Sequence, residues 1–161
     1  MDESVPQLAK LHRLHGEYKP CIGVKLKKLD PAAKAPTYAT PGAACFDLHS
    51  IESGSVFGHR TFRTGLAFQI PEDHVMLIFS RSGMGFNHDT RLANCVGVID
   101  SDYRGEVKVK LRTDGPHSPD VRAGDRIAQA LVLPVKHVAF MVVDELDATD
   151  RGEGGFGSTG A

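Results

Sequence analysis

Glu106-Val107-Lys108-Val109-Lys110-Leu111 is the stretch on which the fold turns. Its apolar residues occupy every second position, with a charged side chain between each pair. A period of two belongs to a strand with one buried face and one wet face. On a helix the same residues would scatter the lysines around the circumference and leave no apolar stripe. Directly upstream, Gly97-Val98-Ile99-Asp100-Ser101-Asp102-Tyr103-Arg104-Gly105 crowds two carboxylates, a tyrosine and an arginine into a tight segment that feeds this strand. His74 to Phe79, Ile127 to Val135 and Val138 to Val143 are β-branched or apolar runs too short for substantial helices, and Val24, Leu26 and Leu29 alternate loosely with lysines. Pro41-Gly42, Asp114-Gly115-Pro116 and Ala123-Gly124-Asp125 punctuate them as turns. Short strands recurring at intervals of roughly 8 to 12 residues indicate a sandwich, jelly roll or barrel. The expected class is therefore all-β, with one short helix following Ser82 and running to about Asp89.

The chain has 161 residues, 41% hydrophobic and 24% charged, which suits one globular domain with a core of its own. Residues 1 to 20 read as an extension, with a short helical turn around Gln7 to His15. Residues 21 to 148 form the β domain. Residues 149 to 161 form a glycine-rich arm that cannot bury enough surface to hold itself in place, so it is expected to move until something orders it. The formal net charge of -1 gives no support to a nucleic-acid interface, which needs a basic excess. A few converging arginines still suffice for a small anion. Cys21, Cys45 and Cys95 are too few and too irregular for a zinc motif or a disulfide framework, and an odd count fits reduced thiols. No stretch approaches the roughly 18 to 20 apolar residues that span a bilayer, and the N-terminus has no continuous apolar run of the signal-peptide kind. A soluble protein of the cytoplasm is expected, or of the nucleus in a eukaryote or the host cytoplasm for a virus.

Four segments are candidates for chemistry. Ser80-Arg81-Ser82-Gly83 follows an apolar strand and opens the expected helix. Backbone N–H groups at such a start, with a hydroxyl and a guanidinium, make an anion site. A capped turn carrying a surface arginine accounts for the same residues. In the segment from Gly97 to Gly105, either Asp-Ser-Asp marks a hairpin turn, or one aspartate is a base or metal-shell acceptor with Tyr103 packing a ligand ring. In the arm, Arg151, Phe156, Ser158 and Thr159 are interleaved with glycines, a pattern open both to a flexible terminus and to a ligand-gripping segment. Gly124-Asp125-Arg126-Ile127-Ala128-Gln129 is a turn entering a strand, with Gln129 either an outward residue of no consequence or part of a site. Gly152, Gly154 and Gly157 match the dinucleotide fingerprint by letter alone. That fingerprint has meaning only between a strand and a helix, with an acidic partner about twenty residues on. No Gly-Lys-Ser/Thr is present, so there is no P-loop. The eight histidines form neither a helical HExxH pair nor a cluster with the cysteines.

Taken together and in this order, these segments resemble the five ordered motifs of the trimeric dUTPase family. Pro41-Gly42-Ala43-Ala44-Cys45-Phe46-Asp47-Leu48 resembles the first and Arg81-Ser82-Gly83 the second. Asn94 through Gly105 resembles the third, Gly124 through Gln129 the fourth, and Arg151 through Gly160 the fifth. The resemblance covers about residues 22 to 161. It implies a β-jelly-roll subunit, a homotrimer with active sites shared between subunits, and hydrolysis of dUTP to dUMP and pyrophosphate. Asp100 would orient and deprotonate the attacking water and hold the 3′-hydroxyl. Tyr103 would pack on the deoxyribose and leave no room for a 2′-hydroxyl. Asn94, with the hairpin around Gly97, Val98, Ile99 and Lys108, would meet the nucleoside and read the uracil edge. Arg81, Ser82, Gly83 and Gln129 would lie near the phosphates. Arg151, Gly157, Ser158 and Thr159 would grip the outer phosphates while Phe156 stacks on the base. Mg²⁺ would ride on the substrate phosphates, with no direct protein ligand and Asp47 reaching its shell through water.

The sequence departs from the family pattern in places. Cys45 replaces a common glycine, Ser80 stands where proline often precedes Arg-Ser-Gly, and Asp89 lies near the place of a frequent glycine. These changes bear on local turn geometry and leave the reacting groups intact. A relative with the same fold, dCTP deaminase, carries a glutamate on the strand after the third motif. Here that position is Lys110, with no neighbouring acid in its place. A regulatory role through a protein partner, with residues 1 to 20 as the place to look, is the alternative of a different class.

Overall fold

The computed structural model describes residues 21–158. Thr159 and the helical turn expected around Gln7 to His15 lie outside the described residues. Twelve strands and one helix follow in order: β1 (Lys25–Lys28), β2 (Thr37–Tyr38), β3 (Phe46–His49), β4 (Gly54–Ser55), β5 (His59–Arg63), β6 (Leu66–Gln69), β7 (His74–Phe79), α1 (Ser82–His88), β8 (Thr90–Leu92), β9 (Gly97–Ile99), β10 (Lys108–Thr113), β11 (Asp120–Val121) and β12 (Arg126–Pro134). The largest sheet has the order β2-β3-β12-β7-β9, and a second has β5-β10-β8. Two-stranded pairs β1-β6 and β11-β4 complete a jelly-roll-like body, and the strand pairs are antiparallel.

The alternating run behaves as its period requires. Val107, Val109 and Leu111 are 1%, 2% and 1% exposed, while Lys108 and Lys110 face outward. With Phe62, Leu66, Leu48, Met76, Leu92 and Ile127 these residues build one core between the sheets. Burying each of these side chains is worth about 1.5–3 kcal/mol, so the alternation fixes which face of β10 turns inward. The entry to β10 is fastened at a corner. Thr64 Oγ1 donates to the Val107 carbonyl at 2.6 Å, and Glu106 accepts from Arg63 Nε at 3.1 Å and from the Gly65 N–H at 2.9 Å.

Two strand expectations need correction. The run Val138 to Val143 forms no strand: residues 135 to 149 have neither helix nor ladder, and Phe140, Met141 and Val142 are 91%, 86% and 101% exposed. Apolar β-branched side chains favour a pleated surface only where another strand offers its backbone and a face to cover them; within the single chain none does. Strand β1 does form, but its alternation does not sort into inside and outside. All four of its residues are exposed, and it is hydrogen-bonded to β6 alone. No helix among the described residues is long and apolar enough to cross a membrane.

Candidate active site

Strand register brings the first, second and fourth segments together. Gln129 of β12 lies opposite Asp47 of β3 on one side and Phe79 of β7 on the other. The chain leaves β7 through Ser80 and Arg81 into α1, so Asp47, Gln129 and the Arg-Ser-Gly turn meet at one end of the sheet. Asp47 is buried, 7% exposed, and accepts from Arg81 Nε at 3.2 Å and from Arg126 Nη1 at 3.2 Å. Two guanidiniums on one carboxylate leave one positive charge in excess. A buried carboxylate paired in this way is costly to uncover, because removing its partners strands a charge out of water. Arg81 Nη1 also donates to the Arg126 carbonyl at 3.3 Å. Nearby, burial and then the Lys34 ammonium push the His49 imidazole below its ordinary pKa, against a smaller pull from Asp47.

The turn itself is held by its neighbours. Gln129 Nε2 donates to the Ser80 carbonyl at 2.9 Å, and Ser80 Oγ accepts from the Leu92 N–H at 2.9 Å. Serine in place of the family's frequent proline thus ties the second segment to β8. Helix α1 has no side-chain cap at its start. It is capped after His88 by Asp89, whose φ of 48° places a non-glycine residue in the left-handed region, where aspartate is among the better tolerated. The missing glycine therefore leaves the turn intact. Ser80, Arg81, Ser82, Gly85, Phe86 and Asp89 line a recess of about 430 Å³, and the space around Gly83 is open.

The third segment builds a separate cleft. Val98, Ile99, Asp100, Tyr103, Glu106, Val107 and Lys108 line about 410 Å³. A second recess of about 430 Å³ shares Val98, Ile99 and Lys108 with it and adds Asn94 and Gly97. The two halves flank one hairpin, so Asn94 and Asp100 belong to one continuous feature. Asp100 is exposed, and among the described residues its carboxylate has no hydrogen-bond or ion-pair partner. The Tyr103 N–H donates to the Asp100 carbonyl at 3.2 Å, and Tyr103 Oη donates to the Glu106 carbonyl at 3.2 Å. This folds the ring across Gly105, where any Cβ would collide with the phenol. Gly97 is tight for a different reason: it pairs with Ile78 on β7, and a Cβ there would stand 3.1 Å from the Ile78 Cβ. Gly97→Ala is expected to cost about 1–3 kcal/mol of stability, the range for overpacking, read as a lowered midpoint in urea unfolding. An unchanged midpoint would show that the hairpin gives way freely.

Sequence reasoning placed Asp100, Tyr103, Asn94, Gly97, Val98, Ile99 and Lys108 together, and the structure groups them. Arg81, Ser82, Gly83 and Gln129, expected near the phosphates, and Asp47, expected at the metal's water shell, meet at one end of the sheet, but the recess lined by Arg81 and Ser82 shares no lining residue with the Asp100 cleft. Arg151 and Phe156 line neither. Arg151 Nε donates to the Gly154 carbonyl at 2.7 Å in a local turn, Phe156 is fully exposed with φ 51°, and Gly157 and Ser158 are exposed beside it. Sequence reasoning gave Arg126 no site role, although it pairs with Asp47, 79 residues away on β3, and missed Glu106, which with Gly105 sets the position of Tyr103. The Gly105-Glu106 pair between an aromatic and a lysine strand was the available sign.

Known proteins resemble the chain in sequence and in fold. A family profile described as dUTPase matches residues 32–160. The deoxyuridine 5′-triphosphate nucleotidohydrolase of Desulfitobacterium hafniense is 48% identical over 147 residues, spanning 86% of this chain and 95% of the relative. That of Nautilia profundicola is 46% identical over 139 residues, spanning 85% and 98%. Among solved structures, the dUTPase of Staphylococcus bacteriophage 80alpha with dUPNHPP superposes with a TM-score of 0.77 at 25% identity, covering 86% of this chain and 99% of that one. With its ordered motifs on a jelly-roll-like body, the chain belongs to the dUTPase family, the enzymes that hydrolyse dUTP.

Proposed function

We propose that the protein works as a homotrimer in which each reaction centre draws its nucleoside cleft, phosphate turn and arm from more than one copy. The observation that carries this reading is the separation of parts. The Asp100–Tyr103–Asn94 cleft, the Arg81–Ser82–Gly83 turn and the Arg151–Phe156 arm are each well formed for one task, yet one chain does not bring them into one recess. The segment 138–146, rich in apolar side chains and exposed throughout its length, also calls for cover from another copy.

Asp100 then acts on water. Its free carboxylate accepts a hydrogen bond from the attacking water and takes a proton as the water oxygen bonds to the α-phosphorus. The bond from that phosphorus to the oxygen bridging to the β-phosphorus breaks in line, and pyrophosphate leaves with the electron pair. Tyr103, held over Gly105, packs on the deoxyribose and bars a 2′-hydroxyl. Asn94 and the backbone of the hairpin pair with the uracil edge, and mispaired buried donors reject cytosine strongly. Arg81, steadied by Asp47, lends positive charge beside the open backbone of Ser82 and Gly83.

The residues fit a metal that arrives with substrate. Among the described residues no three His, Cys, Asp or Glu side chains form a metal cluster, and both Asp47 oxygens already serve arginines. Magnesium bound to the triphosphate oxygens would neutralise part of their charge, and Asp47 would reach its shell only through water. The test is pyrophosphate release from dUTP, dCTP, dTTP and UTP measured side by side, with and without Mg²⁺. Release from dUTP alone, and only with Mg²⁺, is expected. Equal release from UTP would refute the Tyr103 assignment, and full activity in chelator would refute the magnesium reading.

A further inference from the structure

The connection between β8 and β9 runs only from Ala93 to Val96, and it carries the chain from the sheet β5-β10-β8 to the sheet that ends in β9. Both of its ends are pinned. Leu92 is buried in the core, and Gly97 stands against Ile78, where even a Cβ is tight. So short a crossing turns twice. The Cys95 N–H donates to the Leu92 carbonyl at 3.2 Å, which closes a β-turn centred on Ala93 and Asn94. The Val96 N–H then donates to the Asn94 carbonyl at 2.7 Å. A bond from one residue to the next but one makes a γ-turn, here with Cys95 at its centre. Cys95 has φ 64°, and the positive sign makes this the rare, strained form of that turn.

Backbone strain of this kind persists only where its surroundings over-determine it, and it collects at functional sites. The Ala93 N–H donates to the Lys110 carbonyl at 2.8 Å and ties the crossing to β10. Arg91 braces the turn: its Nη1 donates to the Leu92 carbonyl at 3.2 Å and stands 4.0 Å from Cys95 Sγ, while its Nε is fixed on Asp114 at 2.8 Å. The Cys95 side chain is exposed and lines neither half of the nucleoside cleft. Its neighbour Asn94 does line it, and the Asn94 amide has no hydrogen-bond partner among the described residues. The two turns therefore meet on a residue whose backbone is fixed and whose amide is uncommitted.

We propose that Cys95 is a positioning residue for the base: its left-handed backbone, rather than its thiol, aims the Asn94 amide into the cleft and so sets the preference for uracil over cytosine. This rests on the reading of Asn94 as a contact of the uracil edge and names what holds it there. Asn94 is the third residue of the β-turn and the first of the γ-turn, so hydrogen bonds fix the chain on both sides of its Cα. Taking Cys95 to an ordinary negative φ would release the bond from Val96 and swing the Asn94–Cys95 peptide away from the pinned Gly97. The Asn94 side chain would swing with it. An asparagine amide offers both donors and an acceptor, so it can follow either pyrimidine unless its approach is held. A fixed approach leaves the wrong base with unpaired groups, which is the stronger form of discrimination.

Two substitutions at the one position separate backbone from thiol. Cys95→Val is β-branched and resists a positive φ, whereas Cys95→Asn loses the thiol but tolerates the left-handed region. Affinities of the full-length protein for non-hydrolysable dUTP and dCTP analogues, measured by calorimetry, are read as their ratio. Cys95→Val is expected to lower the preference for the dUTP analogue about tenfold, the worth of one hydrogen bond no longer held in place. Cys95→Asn should keep the preference within about twofold, as an exposed substitution does. Damage to the fold alone would weaken both analogues together and leave the ratio where it was. In an Asn94→Ala background, Cys95→Val should lower the preference no further, because it acts through Asn94. A wild-type ratio in Cys95→Val, or an equal loss in Cys95→Asn, would overturn the role of the turn. A wild-type ratio in Asn94→Ala would overturn the reading of Asn94 itself.

Discussion

Asp100→Asn is expected to bind dUTP about as well as the wild type and to lower turnover by at least about 10²-fold, the low end for loss of a general base. The reasoning starts from what surrounds the carboxylate. It is exposed, lines a cleft with Tyr103, and engages no cation among the described residues. Asparagine keeps the shape and one acceptor oxygen, so the backbone turn through the Asp100 carbonyl and the Tyr103 N–H survives. What disappears is the group able to take the water's proton. Binding of a non-hydrolysable dUTP analogue, followed by calorimetry, should therefore change little while kcat collapses. The contrast with Asp47 sharpens the expectation, because both Asp47 carboxylate oxygens are engaged by Arg81 and Arg126. Near-normal turnover in Asp100→Asn would show that another group activates the water.

The fold was readable where one residue decides its own environment. Val107, Val109 and Leu111 reveal a buried face by period alone, and His74 to Phe79 begins and ends where its apolar run does. The Ser82 helix was readable from its turn residues, and its last residue falls one short of the expected Asp89. Reading failed where the deciding partner lies far away in the chain or is not offered by it. Val138 to Val143 has the composition of a strand, but a strand needs an edge to pair with, and one chain does not supply it. The site divides in the same way. Asp100, Tyr103 and Asn94 sit on one local hairpin, so their company could be inferred from adjacency. The Asp47–Arg126 pair depends on the β3-β12 register, set by β-bulge geometry between Arg126 and Ala128 that no local pattern announces.

Deleting Arg151 to Ala161 should leave fold and assembly unchanged while lowering kcat/KM for dUTP by about 10²-fold or more. None of residues 151–158 belongs to the buried core, and their hydrogen bonds are local turns within 149–158. The melting temperature of the truncated protein should therefore stay within about a degree of the full chain, since surface changes away from such features are small. The loss in rate has a definite origin. Arg151 and Ser158 are exposed donors with no anion of their own, and Phe156 presents its whole ring to solvent. Closing on a triphosphate gives the arginine a charged partner, worth about 1.5–3 kcal/mol per such bond, and gives the ring a base to stack on. Two such contacts convert to about 10² to 10⁴ in rate when they form fully only as the site closes. Stopped-flow pyrophosphate-release assays on truncated and full-length protein, with melting curves and masses recorded on the same samples, separate this from a folding defect. Equal rates would mean that the nucleoside cleft and the Arg81 turn suffice by themselves, and that the glycines of the arm serve no lid.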